Sequence, residues 1–588
     1  MCKDETSFPN ENEFHDHSTK CHANTIYGER KSEQWKEYVT ISLNRAYVPK
    51  TGRTSYASGS NNSSCTASSG HDKADTNNTI HRRPIYAGLV ELEDYCRKVN
   101  KLIAADPSKQ TSKEGQELIA LHLILLDEFC DFFLASHLPC ASPALAATYN
   151  LPARMWHHGI YPLLEILRLR LPDSRDHMFA YLRVAYPMMG LLYETVPTFE
   201  DTWMEYSGNL GRYWIATEDD VEERKVWSEV ARFWYAKAAD KNPTVGRLHY
   251  HLAVLSCWCS LQWLSLYLQS LTCIIPFESA RGGIMTNFDS LLDGKESTLH
   301  ESRSLEEVFI KAHGLLFGER STEEFVSCVQ QLLGGLLDKY IGCVTDKFKK
   351  QGVFVALSNI AGLLEYGVRK STLRLYFEEI RDKKKAASAN QGTSDTDALS
   401  LDASITVRED ITQEELETSL RTIAYASSLA FGSLAIGLQR IGDKNVYPMV
   451  HVYLVFLYSI INVEKAVKLF EKDIPWEDMA SFLNALARSD TSTLKVFDEN
   501  FPSPDKGIGR PLPEDLVMRG QLWNEFYFPD TWFSDAAVED EERAFELQPR
   551  TERILWLGHR IASYNQGLSF DPSSRLFSSQ RKSELRRQ

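Results

Sequence analysis

Apolar residues recur at i, i+3, i+4 and i+7 through long stretches of this sequence, as in LVELEDYCRKVNKLI and ELIALHLILLDEFCDFFLASHL. That spacing places them on one face of an α-helix, which must then pack against a neighbour. No segment alternates apolar and polar residues with period two for long, so helices rather than strands are expected to build the core. Pro143, Pro152, Pro172, Pro197, Pro243 and Pro276 punctuate the pattern, with Asp173 and Ser174 as cap candidates after Pro172. Short breaks between long amphipathic runs predict an all-α protein of antiparallel helical hairpins.

The periodicity also marks where helices are not expected. Residues 1–82 are rich in Ser, Asn, Thr, Gly and Asp and carry too few large apolar side chains to offset the entropy of ordering, which predicts a disordered tail. The same reasoning assigns residues 386–410 to a disordered inserted loop and 566–588 to a disordered basic tail. Helical patterning fills the intervals 83–385 and 411–565. A chain of 588 residues with 43% hydrophobic content can bury two or three domain-sized cores. Tyr235, Ala238 and Pro243 recur about 33 residues later as Leu268, Leu271 and Pro276, close to the tetratricopeptide period of about 34.

Charge and motifs narrow the function. With 65 basic and 80 acidic residues the net charge is −15, so the average surface repels a phosphate backbone and nucleic-acid binding needs a local basic patch. One such stretch exists: Lys347, Lys349 and Lys350, then Arg369, Lys370 and Arg374, then Arg381, Lys383, Lys384 and Lys385, interleaved with Phe348, Phe354 and Tyr376. It reads as a contact for RNA or single-stranded DNA, as a nuclear import signal, or as a solvated helix face. The eleven cysteines are scattered and odd in number, as expected of reduced thiols in the cytosol or nucleus. Cys257 and Cys259 lack a second pair, so packing is expected there and not zinc. His157 with His158 and His249 with His251 are spaced so that neither pair shares a helix face, and there is no HExxH, GxSxG or Walker arrangement. No catalytic residue, cofactor or metal is therefore expected. The N-terminus MCKDETSFPNENEFHDH has no apolar core of signal-peptide length and no run of about 20 apolar residues follows, so a soluble protein of the nucleus or cytoplasm, without a membrane partner, is expected.

The strings EYSGNLGRYWIATEDD, VARFWYAKAADKNPTVGRLHYHLAVLS and SLYLQSLTCIIPFESA, in this order, resemble the signature of the Est/SMG family. Further pieces agree: ARMWHHGIYPLLEILRLRLPDS around Trp156, PMVHVYLVFLYSI, IPWEDMASFLNAL, LPEDLVMRGQLWNEFYFPDTWF and RILWLGHRIA. The likeness spans roughly residues 84–563 and is nearest to the fungal Est-type form without a nuclease domain. It implies a 14-3-3-like, tetratricopeptide-like helical domain over 83–240 and an Est-type DNA/RNA-binding helical-hairpin domain over 241–385 and 411–565. It also implies a non-enzymatic adaptor in telomere maintenance and telomerase recruitment or in nonsense-mediated mRNA decay. The implied partner is a phosphorylated protein, such as a decay helicase or a telomerase component.

In this family the 14-3-3-like pocket takes phosphoserine, and its Arg-Tyr pair falls on Arg212 and Tyr213. A guanidinium fork and a phenol suit phosphate oxygens. Where phosphopeptide-binding members place a Lys, five residues after the helix Trp, this chain has Tyr161; Arg168, seven residues further on and on the same face, is the candidate replacement. Arg212 pairing with Glu200, Glu205 or Glu218, and Tyr213 acting in packing, are the alternative roles. A direct nucleic-acid binder using the basic stretch is the alternative function. Only 55 residues follow Phe533, too few for the metal-dependent nuclease domain found in some members, and the acidic run Glu539 to Glu542 is read as a tail.

Overall fold

A computed structural model describes residues 74–105, 112–136, 144–256, 260–292, 304–389, 412–461, 464–489, 495–502, 511–529, 532–533, 547–564 and 566–579. Cys257, Cys259, residues 390–410 of the loop expected over 386–410 and the acidic run Glu539 to Glu542 lie outside the described residues, as do residues 1–73 and 580–588, whereas 386–389 are the helical end of Thr372–Ala389 and not loop. Helices dominate the described residues, as the periodicity predicts. Their contacts divide the chain into two compact units, Met1–Ala238 and Ala239–Gln588. The apparent repeat of Tyr235 and Ala238 as Leu268 and Leu271 straddles that division, and all four are buried.

The first unit contains α1 (Ala74–Ala105), α2 (Ser112–Ser136), α3 (Ala144–Thr148), α4 (Leu151–Arg154), α5 (Tyr161–Arg168), α6 (Arg175–Thr195) and α7 (Glu200–Thr217). α8 (Val221–Lys241) begins in it. Residues 74–82 are thus helical, where a disordered tail was expected: α1 extends N-terminally past the last strongly apolar position. Consecutive helices pack as hairpins, α1 on α2 and α6 on α7, and α2 also packs on α6. Their core is apolar and aromatic, with Phe129, Phe133, Met155, Tyr181, Leu182 and Trp203 fully buried.

In the second unit come α9 (Gly246–Val254), α10 (Leu261–Thr272), α11 (Ala280–Leu292), α12 (Leu305–Phe317), α13 (Thr322–Gln331) and α14 (Leu337–Val344). They are followed by α15 (Phe348–Leu363), α16 (Thr372–Ala389), α17 (Gln413–Gln439), α18 (Tyr447–Ile460) and α19 (Glu464–Phe470). α20 (Trp476–Ser489), α21 (Pro513–Met518) and α22 (Leu547–Ser563) complete the helices. α15 and α18 are apolar nearly all round and lie at the centre, packed on each other; α15 also meets α10 and α17, and α18 meets α22. A helix with no polar face can only be an interior one in such a protein. Helices on both sides of residues 390–410 share a single core, from Ala253 to Phe577.

Two local features depart from the expectations. Leu416–Gln439 of α17 is long and apolar enough to cross a membrane, and it is the only such helix among the described residues. Ile423, Leu429, Phe431 and Leu434 bury its apolar side in the core, as in an interior helix. The expected disordered tail over 566–588 instead contains an antiparallel hairpin, β1 (Leu568–Asp571) with β2 (Leu576–Ser579). Asp571 nucleates its turn by accepting hydrogen bonds from Ser573 and Ser574. Leu568 and Phe577 are buried, and the Asn484 side chain donates to the Phe577 carbonyl at 2.9 Å and accepts from its N–H at 2.8 Å.

Candidate functional site

In the first unit the chain from Leu151 to Arg168 is one helical run interrupted by a π-helical turn, Met155–Ile160. A π turn shifts the hydrogen-bond register and leaves a carbonyl for other donors. Here the Gly159 carbonyl meets His122 Nδ1 at 2.6 Å and accepts from the Tyr181 hydroxyl at 3.0 Å. The Trp156 ring stacks on Tyr206 of α7 at 4.5 Å, and the Tyr206 hydroxyl donates to the Pro152 carbonyl. These contacts fix the π turn and α4 against α2, α6 and α7 within one core.

α7 carries the motif YSGNLGRYW, and its glycines are packing residues. A Cβ on Gly208 would lie 2.7 Å from the Tyr235 ring, and one on Gly211 3.0 Å from Ala231. The missing side chains let α8 approach, and the Tyr235 hydroxyl donates to Asn209. Trp214, next after the motif's Tyr213, stacks on Trp227 of α8 at 4.1 Å.

On the α5 side of α7, two of the four expected phosphate-pocket residues, Arg168 and Tyr213, bond to one carboxylate that sequence reading missed, with Tyr161 nearby. The Tyr213 hydroxyl donates to Glu165 Oε1 at 2.7 Å. The Arg168 guanidinium grips the same carboxylate with both prongs, Nε to Oε1 at 3.0 Å and a terminal nitrogen to Oε2 at 2.8 Å. Tyr161, which is exposed, lies one turn before Glu165 on α5 and close enough to influence both Arg168 and Tyr213 electrostatically. Glu165 is four residues after Tyr161 and three before Arg168, so the helical face that pairs those two also contains it.

The electrostatics follow the geometry. The Arg168 hydrogen bonds hold the Glu165 carboxyl below its ordinary range against the opposing effect of burial, and the Tyr213 bond adds to them. Burial first, and the bond to Glu165 second, push the Tyr213 phenol far up, so it stays a donor. The Arg168 guanidinium is held more firmly protonated by Glu165. A bidentate guanidinium and a phenol converging on one carboxylate form an anion-binding arrangement, and the anion bound is the protein's own.

Arg212 is half-buried on α7, one residue and so about 100° of helical turn from Tyr213. It has a partner of its own and is not a free cation.

The basic stretch in the second unit is dispersed by its partners. Lys349 pairs with Asp346 at 2.8 Å, Arg369 with Glu278 at 3.2 Å, and Lys383 with Glu379 at 2.8 Å. Arg374 is buried, bonded to Glu378 and to the Gly367 carbonyl. Lys384 lies over the Phe526 ring, 3.7 Å from its centre, and burial lowers its pKa. Lys347, Lys350 and Lys370 are exposed, the latter two with contacts of their own. Phe348, Phe354 and Tyr376 are core residues, so the interleaved aromatics present no stacking surface for bases. His249 and His251 are both buried, the former bonded to the Pro243 carbonyl at 2.9 Å. Among the described residues no cluster of His, Cys, Asp and Glu is arranged to hold a metal ion.

No family model and no curated protein matches the sequence. Among solved structures, the chain is similar to one described as the crystal structure of Est1 and Cdc13, at 11% identity over 83% of this chain and 99% of that one, with a TM-score of 0.49. It is also similar to the structure of the C. elegans SMG5-SMG7 complex, at 11% identity over 83% of this chain and 98% of that one, with a TM-score of 0.33.

Proposed function

We propose that this chain is a non-enzymatic adaptor of the Est/SMG type, acting in telomere maintenance or nonsense-mediated mRNA decay, in the nucleus or cytoplasm, and that it captures a phosphorylated protein partner. The observation that carries the reading is the convergence of Arg168 and Tyr213 on one carboxylate, at 2.7 to 3.0 Å. Phosphate offers a denser set of acceptor oxygens than a carboxylate, and paired charge-assisted bonds from arginine are the usual means of recognising it. Arg168 supplies the charge that Tyr161 cannot. Glu165 then acts as a resident competitor: a phosphoserine displaces it only if the new bonds outweigh the lost ion pair, which favours a doubly charged ligand over a singly charged one. The ordered motifs between residues 84 and 563 support the family reading.

Affinity purification of the full chain, before and after phosphatase treatment of the extract, tests this proposal. Phosphatase-sensitive recovery of a telomerase component or a decay helicase, lost in Arg168→Glu, supports it. Recovery that ignores both phosphatase and the substitution contradicts it.

A further inference from the structure

Within the second unit, α20, α22 and the β1–β2 hairpin enclose a cleft of about 320 Å³, a volume within the ordinary range of ligand sites. Its apolar lining includes Val496, Phe497, Leu555, Phe570, Leu576 and Phe577. Phe497 is 48% and Leu576 41% exposed, high values for side chains of this kind beside an open cleft. Arg488 and Arg575 complete the lining, both exposed, and neither meets a carboxylate among the described residues. In a chain of net charge −15, two guanidiniums with no carboxylate partner among the described residues lie beside exposed apolar side chains.

The cleft is built in advance. Asn484 grips both backbone groups of Phe577 and so closes the outer edge of β2. His559 packs edge-on against Phe570 at 4.3 Å and obliquely against Phe577 at 4.7 Å, which ties the hairpin to α22. Burial and the neighbouring Arg560 push the His559 pKa down to about 4, so it adds no charge at neutral pH.

We propose that this cleft binds a short acidic segment of a partner protein, with one apolar side chain seated between Phe497 and Leu576 and carboxylates on its flanks meeting Arg488 and Arg575. A peptide fits better than a nucleic acid for two reasons. The aromatic rings pack on one another, Phe570 on Phe577 at 4.9 Å and Phe497 on His559 at 4.7 Å, and aliphatic Val496, Leu555 and Leu576 share the lining, so there is no flat platform for a base. Among the described residues only Arg488 and Arg575 bring positive charge to its lining, too few to offset the repulsion of a phosphate backbone by a chain of net charge −15. The cleft shares no lining residue with the Glu165 cluster.

The test uses the full chain and a fluorescein-labelled octapeptide of a central Phe-Leu pair flanked on each side by three aspartates, followed by fluorescence anisotropy. Arg488→Glu with Arg575→Glu should weaken binding about tenfold or more and leave circular dichroism unchanged. Replacing the Phe-Leu pair by two serines should weaken it by a similar factor, and Arg168→Glu should leave it unaltered. The proposal is overturned if the wild-type chain does not bind the probe at about 1 mM, or if the charge-reversed chain binds it equally. Tighter binding of an oligothymidine than of the probe, abolished by the same charge reversal, would also overturn it and make the cleft a nucleic-acid site.

Discussion

The Tyr213 hydroxyl donates to Glu165 Oε1 at 2.7 Å, across the contact between two helices 48 residues apart in sequence at these positions. With Arg168 bonded to both oxygens of the same carboxylate, this bond means that the candidate phosphate pocket is satisfied before any ligand arrives. Neutralising Glu165 while keeping its size should therefore help a phosphorylated ligand. Glu165→Gln is expected to tighten binding of a phosphoserine peptide about tenfold, the equivalent of one charge-assisted hydrogen bond no longer contested. Isothermal titration with the phosphorylated and unphosphorylated peptide measures it, and the unphosphorylated form should gain nothing.

A different carboxylate holds the second unit together. Glu514 and Arg550, each 1% exposed, form a bidentate pair at 2.7 and 2.9 Å, with His451 at 3.0 Å from the same carboxylate. Burial opposes ionisation of Glu514, but Arg550 and His451 outweigh it and hold the carboxyl well below its ordinary range. Arg550→Met leaves that charge buried with a weaker partner set and should cost about 3–5 kcal/mol. Urea denaturation of the single variant and of Arg550→Met with Glu514→Met checks it: the double variant should recover part of the loss.

Acid should weaken folding through buried histidines. Burial lowers the pKa of His122 to about 4 and of His313 to about 3, so both are neutral in the folded chain. In the unfolded chain they take up protons near pH 6.5, so the stability that their neutrality represents is complete above about pH 6.5 and falls as pH drops toward 3 to 4. Each should weaken its own unit by up to about 2 kcal/mol between pH 6.5 and pH 5. Thermal melts across that range check the slope, and His313→Gln should reduce it for the second unit, where His559, also lowered to about 4, keeps the remainder.

Two glycines should respond oppositely to alanine. Gly520 has φ +78°, and a Cβ there would lie 2.2 Å from the Pro243 carbonyl oxygen. Gly520→Ala should destabilise by about 2 kcal/mol or more, because backbone strain and steric overlap combine. Gly88 sits exposed in α1 with nothing within 4 Å of its absent Cβ, and Gly88→Ala should stabilise by about 0.5–1 kcal/mol. Paired thermal melts of the two variants decide both signs.

Much of the fold was legible because helical burial repeats every turn and leaves its mark over tens of residues. α15 and α18 announce themselves as interior helices by lacking a polar face. The β1–β2 hairpin was missed because its alternation covers only four residues per strand, inside a segment whose serines and arginines resemble a tail. At the candidate site, sequence spacing correctly put Tyr161 and Arg168 on one face of α5. Glu165 lies on that face too, but spacing alone does not tell a solvated carboxylate from one that is held by Arg168 and Tyr213. Arg212 adjoins Tyr213 in sequence, yet successive helical positions diverge by about 100°, so adjacency alone does not bring both side chains to one ligand.

The central claim is that Arg168 and Tyr213 form a phosphate-selective site gated by Glu165. The most direct measurement is binding of a degenerate phosphoserine peptide library, against the same library with unmodified serine, by the wild-type chain, Glu165→Gln, Arg168→Glu and Arg212→Glu at physiological salt. The account predicts phosphate-dependent binding that strengthens in Glu165→Gln and disappears in Arg168→Glu. Binding that is indifferent to phosphate, or that survives Arg168→Glu at full strength and is lost only in Arg212→Glu, would contradict it.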